Sequence, residues 1–155
     1  MEIQVVVDLP ATPTEVWAYL RDVTKHSEWM MDALSVEITS ETTEGPGLTF
    51  DCLTAVGPFR VRDRMEVVEW DPESAMGVKH SGIVTGIGRF TLSTISGGTR
   101  FSWHESIELP LRFAGKLGES VAKPILTAIW RRNLRTLRKR IIQRQETGAG
   151  LEPGG

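Results

Sequence analysis

Six short β-type runs, each closed by turn chemistry, fill the middle of this chain, and a long amphipathic helical stretch follows them. The runs fall at 34–41, 48–55, 59–70, 75–81, 85–95 and 99–109. Recognisable turns divide them: Glu44-Gly45-Pro46-Gly47, Val56-Gly57-Pro58, Asp71-Pro72-Glu73-Ser74 and Ser96-Gly97-Gly98. Strands joined by such short links pair as hairpins, so the runs predict an antiparallel, meandering sheet. Gly82, Gly86 and Gly88 predict bends, which a sheet needs in order to curl. A sheet with one apolar face needs a cover, and the helix of residues 125–144 is the natural one. Leu126, Ile129, Trp130, Asn133, Leu137 and Ile141 share one side of it, with Arg131, Arg132, Arg135, Arg138 and Lys139 largely on the other.

The front of the chain adds a strand at 2–9, stopped by Pro10, and then a helix start with three agreeing signals. Thr12 can cap, Pro13 sits where a missing N–H is harmless, and Glu15 completes a capping box. Val16, Trp17 and Leu20 form the apolar stripe of that helix, and a second helical turn is expected at 25–29 after a break at 22–24. Residues 112–123 predict a weaker helix containing Gly115 and Gly118, which Pro124 kinks or restarts. The fold class is therefore α+β, with about seven strands curved around a long C-terminal helix and two short helices after the first strand. One domain is expected over 1–145, with a disordered Gly/Pro-rich tail at 146–155. A chain of 155 residues is long enough to bury a real core.

Several classes of function are set aside. No segment is apolar for long enough to cross a bilayer, and the N-terminus lacks the pattern of a secretory signal. The single Cys52 gives no internal disulfide and no metal-site spacing, so a cytoplasmic location without metal or cofactor is expected. His104-Glu105-Ser106-Ile107-Glu108 lacks the second His of a zinc protease, and the glycines of 82–88 fit neither a dinucleotide nor a phosphate loop. No Gly-x-Ser-x-Gly elbow is present. The net charge of -2 hides an asymmetry: residues 1–110 carry 17 acidic and 8 basic side chains, residues 111–145 one and 10. A solvated or self-complementary basic helix face is the plain reading, and weak contact with an anionic membrane or an acidic protein is the alternative. Nucleic-acid binding is unpersuasive, because the basic helix lacks interleaved aromatics beyond Trp130. The oligomeric state is not legible.

Four stretches, in this order and spacing, carry a resemblance. Residues 5–17 read as an apolar strand followed by Pro-Ala-Thr-Pro-Thr-Glu-Val-Trp, and residues 22–32 contain Trp29 followed by Met-Met-Asp. Val-Val-Glu-Trp-Asp-Pro at 67–72 and Gly-Gly-Thr-Arg-Phe-Ser-Trp at 97–103 complete the set. Together they resemble the START-like, or helix-grip, superfamily, in its polyketide cyclase/dehydrase and lipid-transport branch, over residues 2–142. The resemblance implies a cavity between sheet and helix, closed at one end by the segment at 22–32. Members of that family bind lipids, sterols, polyketides, quinones or plant hormones, and only some are enzymes, so the fold does not settle the function.

Strand alternation assigns the inward rows. Phe59, Val61, Asp63, Met65 and Val67 share one row; Phe101, Trp103, Glu105 and Ile107 share another. Met76, Val78 and His80 form a third, while Phe50 pairs with Cys52 and Phe90 with Leu92. Asp63, His80 and Glu105 interrupt apolar rows, and a buried carboxylate must be paired or protonated. They are the candidate catalytic residues, converging as a general acid and base, or orienting a polar ligand head. The alternative is a bulge that turns one outward, or a structural ion pair with Arg62, Arg64 or Arg100. Candidate ligand contacts are these three with Trp29 and Met30 at an apolar gate, Phe50, Phe59, Met65, Phe90, Phe101 and Trp103 on the sheet, and Ile129 and Asn133 on the helix. The expected function is binding of a hydrophobic or amphipathic small molecule, such as a polyketide, acyl lipid or isoprenoid. A polyketide cyclase/dehydratase-type enzyme and an interaction module docking through its basic helix are the alternatives.

Overall fold

The computed structural model describes residues 1–110, 112 and 115–148. β1 (Glu2–Leu9) alternates as a half-buried strand must, with Ile3, Val5 and Leu9 inside and Glu2, Gln4 and Asp8 outside. Thr12 then caps α1 (Pro13–Leu20) with both limbs of the capping box: Glu15 N–H donates to Thr12 Oγ1 (3.3 Å) and Thr12 N–H to Glu15 Oε2 (2.9 Å). The expected turn at 25–29 is a 3₁₀ helix over Val23–Glu28. It starts earlier because Asp22 is its cap, accepting the Thr24 N–H at 3.1 Å, so the apparent break at 22–24 is the helix start itself.

Six more strands follow: β2 (Ala33–Ile38), β3 (Thr49–Val56), β4 (Phe59–Asp71), β5 (Ala75–Ser81), β6 (Thr85–Ile95) and β7 (Gly98–Glu108). β2 stops three residues short of the expectation. Beyond Ile38 the Ser40 hydroxyl accepts the Thr49 N–H (2.9 Å), a side chain replacing a ladder carbonyl. The sheet order is β1-β7-β6-β5-β4-β3-β2, and every neighbouring pair is antiparallel. Hairpins join β2 through β7 in sequence, and β1 returns to pair with β7, Val5 opposite Trp103. Register shifts between Val67 and Glu69 and between Ala33 and Ser35 add local twist, and the sheet curls into a half-barrel.

α2 (Gly115–Glu146) lies in the concave face and buries Trp130, Asn133, Leu134, Leu137 and Ile141. It continues through Pro124, which occupies an exposed position, so the helix does not restart there and the weak and strong helical stretches are one element. Residues 111, 113 and 114 lie outside the described residues, as do 149–155 of the expected disordered tail; Glu146 ends α2, and Thr147 and Gly148 form a turn. Arg131, Arg132, Arg135, Arg138 and Lys139 are exposed. The basic face meets the body at few points: Arg140 Nε–H donates to the Glu28 carbonyl (3.3 Å), and Arg144 lies 4.6 Å from the centre of the Tyr19 ring. No helix among the described residues is long and apolar enough to cross a membrane.

Candidate functional site

Sheet and α2 do not close completely on each other. Between them lies a cavity of about 730 Å³, walled by the inward rows of β3 to β7, by the Met30–Ala33 segment and by the first half of α2. Phe50, Phe59, Met65, Phe90 and Trp103 all line it, as do Asp63, His80 and Glu105. At its mouth Phe59, Ile83, Leu117, Val121 and Ile125 are exposed to solvent.

The polar centre of the cavity depends on a gap in β6. Gly86 and Gly88 occupy two successive inward positions of that strand, opposite His80 of β5 and Glu105 of β7 respectively. Side chains on two strands that never touch can therefore meet over bare backbone. His80 Nε2–H donates to Glu105 Oε2 at 3.1 Å, and the Trp103 indole N–H donates to Glu105 Oε1 at 2.7 Å. A Cβ on Gly88 would lie 2.3 Å from Glu105 Oε1, so the carboxylate occupies the space a side chain would take. Burial pulls the His80 pKa down, but the hydrogen bond to Glu105 and the charges of Glu105 and Asp63 outweigh it and hold the imidazole above its ordinary value. The pair sets a donor beside an acceptor inside an apolar wall, and Glu105 favours the protonated form of the imidazole.

Asp63 faces the same cavity but works differently. Its Oδ1 accepts the backbone N–H groups of Ile83 (2.8 Å) and Val84 (3.3 Å), fixing the β5–β6 loop at the mouth. Gly82 allows this, since a Cβ there would lie 2.2 Å from that oxygen. Of the arginines considered as partners, Arg64 pairs with Asp51 and Arg100 with Asp8.

Four candidate contacts sit off the cavity wall. Trp29 is fully buried behind it, with ring centres of Phe90, Trp103 and Phe101 at 6.0, 6.0 and 6.2 Å; its neighbour Met30 does reach the wall. Phe101 is fully buried in that same aromatic cluster. Ile129 packs against the core beside Trp130, which lines the cavity in its place. Asn133 is a latch: its Nδ2–H donates to Asp32 Oδ1 (2.6 Å) and its Oδ1 accepts the Met31 N–H (3.0 Å), tying α2 to the segment that walls the cavity. Asn133→Ala will lower stability by about 2–3 kcal/mol in urea denaturation, because it leaves a partly buried N–H and a carboxylate without their partner. A loss under about 0.5 kcal/mol would show that the latch is dispensable.

Sequence reasoning missed His26 and Asp32, which also line the cavity. His26 is buried in the 3₁₀ helix, and its Nε2–H donates to the Leu20 carbonyl at 2.8 Å. Burial pushes its pKa down, outweighing that bond. No periodicity in so short a helix could assign the residue a face. Cys52 lines the wall as a thiol, its pKa raised by burial. Among the described residues no three His, Cys, Asp or Glu side chains gather as a metal site.

The two histidines shift oppositely, and stability should show it. His80, raised in the folded state, stabilises fully below the unfolded value of about 6.5, and that increment disappears as pH rises through its folded pKa. His26, lowered in the folded state, leaves the unfolded chain binding the extra proton, so stability falls as pH drops below about 6.5. Urea denaturation between about pH 5 and 9 should show the gap between the native protein and His80→Gln narrowing as pH rises. A gap that widens with pH would refute the raised pKa of His80.

A family model described as polyketide cyclase / dehydrase and lipid transport matches residues 1–141. No curated protein matches the sequence. Among solved structures, the protein TTHA0849 from Thermus thermophilus superposes with a TM-score of 0.81 at 20% identity, covering 92% of this chain and 98% of that one. A START superfamily protein from Mycobacterium smegmatis gives 0.76 at 11% identity, over 92% and 97% of the two chains. The Zhui aromatase/cyclase from a Streptomyces species gives 0.68 at 18% identity, over 93% and 94%. Likeness at such identities is likeness of fold. With the family match spanning nearly the whole described chain and the sheet gripping α2, this chain belongs to the polyketide cyclase/dehydrase and lipid-transport family and has the START-like helix-grip fold.

Proposed function

We propose that this protein binds a hydrophobic or amphipathic small molecule, of the size of a polyketide, acyl lipid or isoprenoid, between the sheet and α2. The observation that carries the reading is the cavity itself. About 730 Å³ lies within the range of small-molecule sites, and its wall is apolar apart from a few converging polar groups. Affinity comes from apolar burial, at roughly 25 cal/mol per Å², and orientation from those groups. Native mass spectrometry of protein purified gently from its own host, followed by solvent extraction, tests this. A discrete hydrophobic compound in near-stoichiometric amount is the expected result. A bare mass that persists after incubation with a lipid extract would overturn it.

The His80–Glu105 pair supports a second reading, catalysis of the cyclase/dehydratase type. A buried donor beside a carboxylate can protonate a carbonyl oxygen while a neighbouring C–H is deprotonated. In a carrier, Glu105→Gln leaves binding nearly intact; in such an enzyme it abolishes turnover of the extracted compound. Full turnover in both Glu105→Gln and Asp63→Asn would refute acid/base roles for these carboxylates.

A further inference from the structure

The cavity has a second polar pole, away from the dyad. His26 is almost wholly buried, lines the cavity and faces the Leu20 carbonyl with Nε2. A carbonyl oxygen only accepts, so Nε2 must carry the proton. The ring is kept neutral by burial, which leaves Nδ1 as a bare acceptor. Nδ1 has no protein partner among the described residues. It is not sealed either: among those residues the sealed side-chain nitrogen or oxygen without a partner is the Trp29 indole nitrogen. His26 thus lines the cavity with an Nδ1 that is neither bonded nor sealed, in an aromatic corner with ring centres of Trp29 at 5.7 Å and Phe90 at 5.8 Å.

We infer that His26 is a specificity-determining residue that selects ligands carrying a neutral hydroxyl donor, a phenol or an alicyclic alcohol, at the end of the cavity next to Phe90. The inference rests on the cavity being a ligand site and narrows its ligand class. A hydroxyl satisfies Nδ1, whereas a carbonyl or carboxylate at that point sets lone pair against lone pair. An ammonium would have to shed its water for one neutral acceptor. A purely apolar group leaves Nδ1 unpaired, and sites built to bond a hydroxyl reject analogues lacking it far more strongly than apolar pockets reject a changed methylene. The aromatic surroundings keep water from competing for the bond. Phe90 and Trp103, with ring centres 5.5 Å apart, form the wall between this pole and Glu105, so a ligand spanning both is an apolar body with polar groups at separated points.

The test uses two probes of nearly equal shape, 2-naphthol and 2-methylnaphthalene, titrated calorimetrically into the native protein and into His26→Phe. The native protein should prefer 2-naphthol by about tenfold or more, and His26→Phe should bring the two to parity while 2-methylnaphthalene keeps its affinity. If the variant does not fold, ¹⁵N NMR of the native protein with labelled histidine decides. The His26 Nδ1 resonance should move to lower frequency with 2-naphthol and stay in place with 2-methylnaphthalene. Equal affinity of the native protein for both probes, a preference unchanged in His26→Phe, or an unmoved Nδ1 resonance would overturn the inference and leave the cavity reading standing. Binding of neither probe would overturn both.

Discussion

Gly86→Ala will lower stability by about 3–5 kcal/mol, while Gly88→Ala, two residues along the same strand, will lower it by about 1–3 and alter the site instead. The difference lies in what each new Cβ meets. Gly86 has φ of 140°, a conformation that L side chains rarely adopt, and its Cβ would sit 2.0 Å from the Ser106 carbonyl oxygen and 2.8 Å from Ile107 Cα. Those are backbone atoms of β7, so relief requires the β6–β7 pairing to open at that point. Against a typical total stability of about 5–15 kcal/mol that is a large fraction. Gly88 has no such strain, and its Cβ would meet the Glu105 carboxylate, the far end of a side chain that can swing away. The swing breaks the bonds to His80 and Trp103, so Gly88→Ala should return the His80 titration, followed by NMR, toward an ordinary imidazole value. Urea denaturation reads the first effect. If Gly88→Ala keeps a raised His80 pKa, the glycine gap is not what lets the dyad form.

That gap also shows where sequence reading succeeds and where it stops. β1, β5 and β6 fall at the expected residues because strong turn chemistry bounds them, Pro10 after β1 and Asp71-Pro72-Glu73-Ser74 before β5. Alternation put Asp63, His80 and Glu105 on inward rows, and the structure has them there. It could not reveal that His80 and Glu105 meet across β6, although the signal was present. Two inward positions without side chains in an otherwise Phe- and Leu-bearing row must be filled from neighbouring strands, and Gly86 and Gly88 had been read only as bends. Alternation also reports a face and not a depth. Phe101 and Trp103 share a row, yet Phe101 is sealed under Trp29 and Trp103 reaches the cavity. In the 3₁₀ helix and the turn after it no period exists, so Trp29 and Met30 could not be told apart and His26 went unnoticed. The pairing of β1 with β7 joins the first strand to the last, which no hairpin rule addresses.

Trp103→Ala will cost about 3–5 kcal/mol and Trp103→Phe about 1–3, because the residue joins helix, aromatic core and polar centre at once. Its ring stacks on Trp130 of α2 with centres 4.7 Å apart and planes at 23°, and it meets Phe90 and Trp29 edge-on at 5.5 and 6.0 Å. Removing the indole opens the wall between cavity and core, so the void merges with existing empty space and cannot collapse around a smaller side chain. Phe retains part of that packing and loses the N–H that donates to Glu105 Oε1, so its smaller penalty combines the lost hydrogen bond with the smaller ring contact. Chemical denaturation of the two variants separates the contributions. Equal losses would mean that the bond to Glu105 outweighs the stacking. A loss near 1 kcal/mol for Ala would mean that Leu134, Leu137 and Ile141 seat the helix without Trp130's stack. The expected ordering instead makes one aromatic residue of β7 both the seat of α2 and the donor that fixes the Glu105 carboxylate. The grip of the sheet on its helix and the polar centre of the cavity would then be set by the same side chain.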